Sequence, residues 1–176
     1  MRRARLAAAL AGVLTALLLQ ATLIAPVAGA IPVSLPAVLV AAVALVDGPA
    51  TGMSFGFAAG LTADLGSQHP AGVLALCWLG VGLVCGTVAE RRRLRRDAVT
   101  AGLAAGFAGA AALLLLALVH RAGSVHDAAV YTAPAIAGDI VLALVVVAIV
   151  RRMLATDGLR APHQVYTELA VGARRG

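Results

Sequence analysis

Five arginines in six residues, Arg91-Arg92-Arg93-Leu94-Arg95-Arg96, close a stretch that otherwise carries almost no charge. Residues 47–89 hold a turn at Asp47-Gly48-Pro49 and a glycine-striped apolar segment (Gly52, Gly56, Gly60) that ends in Asp64. A break at Gly66-Ser67-Gln68-His69-Pro70 and a second apolar segment follow. Such segments are too long and too uniform for the half-solvated helices of a water-soluble domain. A dense arginine cluster at the end of one marks a cytoplasmic membrane face.

The composition agrees. The chain is 61% hydrophobic and 12% charged, whereas soluble domains carry about a quarter charged residues. The net charge of +6 does not point to nucleic acid, because the arginines gather at the ends of apolar runs instead of along one face. The expectation is an all-α integral membrane protein, a compact bundle of about six transmembrane helices.

Arg2, Arg3 and Arg5 precede the first apolar run, residues 6–25, which is entered from the cytoplasm. Ala28-Gly29-Ala30 also fits a signal-peptide cleavage site, but the run is longer than the usual apolar core of such a peptide, so an uncleaved first span is expected. The second span, 33–46, is short: about 11 apolar residues follow Pro36, or about 16 if counted from Ile31, against the roughly 20 that cross a bilayer. Asp47-Gly48-Pro49 turns the chain at the inner face, and Pro49 is placed to open the third span, 49–65. The fourth, 71–89, returns to Glu90 and the arginines. The fifth, 98–119, has Gly102 and Gly106, and the sixth, 131–150, carries Asp139 and ends at Arg151-Arg152. Residues 120–127 form an outer loop, and 154–176 a flexible cytoplasmic tail. With both termini inside, thirteen of the fourteen arginines are cytoplasmic and only Arg121 is outside.

Gly52, Gly56 and Gly60 recur every four residues and so line one helical stripe where another backbone can approach, with intramolecular packing favoured over self-association. Asp64 continues the stripe. An acid at that place must be paired, near the outer interface, or both. Asp64 and Asp139 are the only carboxylates inside apolar helices. Packing or hydrogen bonding in a polar pocket suits each better than a shared-proton relay. Cys77 and Cys85 are eight residues apart, roughly 12 Å along a helix, and read as packing residues.

No phosphate-binding loop, zinc spacing or serine elbow is present, so neither an enzyme nor a bound cofactor is expected. His69, His120 and His126, with Asp127, are irregularly spaced and read as loop residues, not metal ligands. The residues alone leave two classes of function. One is an assembly subunit acting through helix contacts, and the other is a substrate-binding subunit of a transporter whose motor lies elsewhere.

The order of features resembles the rod shape-determining MreD family. The resemblance rests on the short second helix ending in Asp47-Gly48-Pro49, then Gly56-Phe57-Ala58-Ala59-Gly60-Leu61-Thr62-Ala63-Asp64, which satisfies that family's Gly-Phe-x-x-Gly-Leu-x-x-Asp. Gly72 opening the next helix and the basic inner loop extend it, over residues 1–153. The family often has an asparagine where this chain offers Asp139, and no role is carried over to that residue. The resemblance implies a non-enzymatic component of the bacterial cell-elongation machinery in the plasma membrane. Its partners would be MreC and, through it, MreB and the RodA–penicillin-binding-protein peptidoglycan synthase. The family is similar in fold to the substrate-binding subunits of energy-coupling-factor vitamin transporters, which keeps that alternative open. A vitamin site needs aromatic and polar lining, and Trp78 is the only tryptophan. On the scaffold reading the working residues are Gly52, Gly56, Phe57, Gly60 and Asp64, with Asp47, Gly48 and Pro49 at the inner turn. The glycines would allow close approach, Phe57 would fill a groove, and Asp64 would hydrogen-bond a partner or a neighbouring helix. Arg91, Arg92, Arg93, Arg95 and Arg96 would hold topology and contact membrane lipid.

Overall fold

The computed structural model describes residues 2–24, 26, 33–66, 72–91, 99–101, 103–105, 108, 111 and 125–154, and among these there is helix and no strand. Helix α1 (Arg2–Leu19) runs into a π-helical turn, Gln20–Ile24. It is followed by α2 (Leu35–Asp47), α3 (Pro49–Leu65), α4 (Val73–Arg91) and α5 (Val125–Leu154).

The shortest of these helices lies at the centre. α2 touches α1, α3, α4 and α5, and Val38, Val40, Ala41, Ala42 and Ala44 are fully enclosed. A helix apolar all round is one that is packed all round. Pro36 sits in its first turn, where a missing N–H costs nothing.

α2 and α3 are separated by a single residue, Gly48, whose N–H donates to the carbonyl of Ala44 at 2.9 Å. Its φ of 86° and ψ of 178° lie in a region that is essentially closed to residues with a side chain. Pro49 then opens α3 with φ already set for helix. The chain reverses here: Gly52 of α3 faces Ala44 of α2, and Gly56 faces Val40.

Among the described helices, α3 and α4 form the most extensive pair. Gly52 faces Gly82, Gly56 faces Trp78, Gly60 faces Ala75, and Gly86 faces Pro49, so these two helices are also antiparallel. Val81, Cys85, Ala101, Ala105, Val146, Val147 and Val150 join the central core around α2.

The sequence reading expects about six spans, the second of them short, and the helices depart from the expected lengths. Among the described residues one stretch, Ala133–Met153, is long and apolar enough to cross a membrane, while Ala11–Ile24, Leu35–Asp47 and Val73–Ala89 are shorter apolar helices. The last helix starts at Val125, not at 131, and runs to Leu154. His126 and Asp127 are therefore in its first turn and not in a loop. Pro134 is accommodated inside the helix. Gly102 and Gly106, most of the expected fifth span, His69, His120 and the tail from 155 onward lie outside the described residues.

Candidate functional site

The seam between α3 and α4 is built by the absence of side chains. A Cβ placed on Gly56 would lie 2.8 Å from the backbone carbon of Trp78, and one on Gly60 would lie 2.6 Å from both the nitrogen of Ala75 and the oxygen of Leu74. One on Gly52 would lie 2.8 Å from the oxygen of Gly82. These obstacles are backbone atoms, which cannot rotate away. All three glycines are buried, and the stripe is used within the chain.

The other half of the seam escaped the sequence reading. On α4 a Cβ at Gly82 would meet Met53 nitrogen at 2.7 Å, and one at Gly86 would meet the carbonyl carbon of Gly48 at 2.8 Å. Gly82 and Gly86 have the same four-residue spacing as the α3 stripe, and that spacing was the available signal.

Asp64 closes the seam at its far end. Its carboxylate is 2% exposed and accepts three backbone N–H groups at the start of α4: Gly72 at 2.8 Å and Ala75 at 3.1 Å on Oδ2, and Leu74 at 3.2 Å on Oδ1. The first N–H groups of a helix have no partner inside it, and the helix end carries partial positive charge. Asp64 meets both requirements from the neighbouring helix. Gly72, with φ of 104°, supplies the backbone turn that brings its N–H to the carboxylate.

A second polar cluster surrounds the start of α2. Asp139 of α5, 1% exposed, accepts the N–H of Ser34 on Oδ1 at 2.8 Å. The side-chain amide of Gln20 spans the same segment, donating from Nε2 to the carbonyl of Val33 at 2.7 Å and accepting the N–H of Leu35 on Oε1 at 2.8 Å. Gln20 was not among the sequence candidates. Asp64 and Asp139 thus serve the starts of two different helices, an arrangement that favours the hydrogen-bonding reading of these acids over the relay.

At the opposite end of α2, Asp47 is buried as its last residue and Gly48 and Pro49 make the turn. Phe57 stands outside the glycine seam, 48% exposed. Arg91 ends α4, and Arg92, Arg93, Arg95 and Arg96 lie outside the described residues. Cys77 and Cys85 are both free thiols. Cys85 is fully enclosed and Cys77 partly so.

Among the described residues no group of three or more His, Cys, Asp or Glu side chains is placed to hold a metal ion. An open, mostly apolar groove of about 410 Å³ runs along α4 past Cys77, Gly80 and Val84, facing Thr100, Leu103 and Ala104. Every buried side-chain nitrogen and oxygen among the described residues has a hydrogen-bond partner.

The chain matches no protein-family model, and searches of curated proteins and of solved structures likewise return no match.

Proposed function

We propose that this chain is a multi-pass protein of the bacterial plasma membrane, both termini cytoplasmic, that works without catalysis as a scaffold in the cell-elongation machinery. In this reading it is an MreD-like subunit that joins MreC and, through it, MreB and the RodA–penicillin-binding-protein synthase. The proposal has two parts, which rest on different observations.

Membrane residence is supported by the outer faces of the helices. Leu14 and Leu18 of α1, Leu23 of the π-helical turn, Phe57, Leu61 and Leu65 of α3, Leu76 and Val84 of α4, and Val141, Leu144, Val145 and Ile149 of α5 are all exposed. Apolar surface spread over α1, α3, α4 and α5 exceeds what a water-soluble monomer tolerates. The exposed hydroxyls point the same way. Thr22, Ser54, Thr62 and Thr87 each donate to a carbonyl three or four residues back in their own helix, at 2.7 to 3.0 Å. That is the arrangement a hydroxyl needs where water is absent. Only a third of Ala133–Met153 is buried in the fold, whereas the core helix of a soluble protein would be mostly enclosed.

The scaffold part rests on one observation: among the described residues, the polar groups at the starts of α2 and α4 are already used by the chain. Broken helices in transporters aim their positive starts at an anionic substrate. Here the start of α2 is taken by Asp139 and that of α4 by Asp64. This favours a scaffold over the vitamin-binding alternative.

The test is a pull-down of the tagged protein from its native membrane in mild detergent, with co-purifying proteins identified by mass spectrometry. Recovery of an MreC-type protein with the peptidoglycan synthase is the expected result. Recovery of a membrane coupling subunit with a pair of ATPases would replace the scaffold with a transporter.

A further inference from the structure

The connections between helices fall into two kinds. α2, α3 and α4 are joined through close neighbours in sequence: Gly48 links α2 to α3, and Asp64 accepts from Gly72, Leu74 and Ala75. The start of α2 is held from farther along the chain. Ser34 makes no side-chain cap, and the acceptor for its N–H lies 105 residues away on α5. The groups on either side, Val33 carbonyl and Leu35 N–H, are satisfied by a residue 13 to 15 positions back, at the first residue of the π-helical turn that ends α1.

We propose that Gln20, Ser34 and Asp139 form a conformational lock, in which α2 becomes seated at the centre only when α1 and α5 close on its start. A helix of 13 residues is marginal by itself, and buried N–H groups without acceptors are costly. Until Asp139 arrives, the Ser34 N–H lacks its acceptor. Until Gln20 arrives, the extended Val33-Ser34 segment lacks the amide that stands in for a neighbouring strand. Docking of α5 and seating of the first turn of α2 are therefore one cooperative event. The glycine seam of α3 and α4 is a separate and more local unit of stability. The lock depends on hydrogen-bond acceptance at residue 139, not on its charge. It rests on the fold alone and is independent of what the protein assembles with.

Hydrogen–deuterium exchange of the full chain in detergent micelles, read by mass spectrometry, tests this in Asp139→Asn, Asp139→Leu and Gln20→Leu. Asparagine keeps an acceptor and should exchange like the parent. Each leucine variant should speed exchange of the amides of Ser34, Leu35, Ala37 and Val38 by about tenfold or more, with residues 52–64 and 75–86 unchanged. Unaltered exchange at the start of α2 in the leucine variants would overturn the lock. So would a uniform loss of protection across α2, α3 and α4, because that describes general support of the fold. Should Asp139→Leu yield no folded protein, Gln20→Leu decides by the same two readings.

Discussion

Gly52 and Gly82 face each other across the α3–α4 seam with no side chain between their backbones. A Cβ on Gly52 would lie 2.8 Å from the Gly82 carbonyl oxygen. Contacts of this kind make a glycine's position, not its identity as glycine, the determinant of what a substitution does.

Gly60→Ala is expected to destabilise the protein by about 1–3 kcal/mol, the usual cost of overpacking, and Gly60→Leu by more. Gly80→Ala is the control. It lies in the same pair of helices, but its added Cβ meets nothing within 4 Å among the described residues, so it should be neutral or slightly stabilising. Thermal or denaturant unfolding in micelles separates the two. Equal effects at both positions would remove the seam from the account.

Asp64→Ala leaves three buried or part-buried N–H groups at the start of α4 without their acceptor. A loss of about 3 kcal/mol is expected, at the upper end of what a single unsatisfied group costs. Asp64→Asn, which keeps one acceptor oxygen, should fall between it and the parent in the same unfolding measurement.

Gly48→Ala forces a side chain into a backbone conformation with φ of 86°, at about 1–3 kcal/mol. Gly66 offers a comparison, since it ends α3 with φ of −89° and an alanine there should be tolerated. Unfolding midpoints of the two variants check this.

Cys77 borders the open groove along α4, while Cys85 is fully enclosed. A small membrane-permeable maleimide should modify Cys77 in the folded protein in detergent and reach Cys85 only after denaturation. Peptide mapping of the modified chain reads out both sites.

Membrane residence has its own check. The chain should stay with the membrane pellet through an alkaline carbonate wash and leave it in detergent. Release by the wash alone would contradict the reading of the exposed apolar faces.

The sequence made some of this legible and hid the rest for identifiable reasons. Residues 49–65 could be read directly as a helix because Pro49 and Gly66 punctuate both ends. The stripe of Gly52, Gly56 and Gly60 was visible by spacing, and its partner stripe was missed although Gly82 and Gly86 repeat it. The brevity of α2 was visible but unexplained, because its remedy comes from Gln20 and Asp139, and no local pattern links residues 20, 34 and 139. The start of the last helix was placed six residues late. His126 and Asp127 were read as loop polarity, although an acid is favourable in the first turn of a helix.

The hydroxyls of Thr22, Ser54, Thr62 and Thr87, folded back onto their own helices, bear on how any neighbour recognises this molecule. The donor of each of the four is spent on a carbonyl of its own helix. Discrimination on those faces must come from contour: the projecting ring of Phe57 on α3 and the hollow over Gly80 on α4. Dispersion forces are short-ranged. A complementary surface therefore gains its advantage only at near-complete contact, and selectivity is earned by fit in the last ångström of approach.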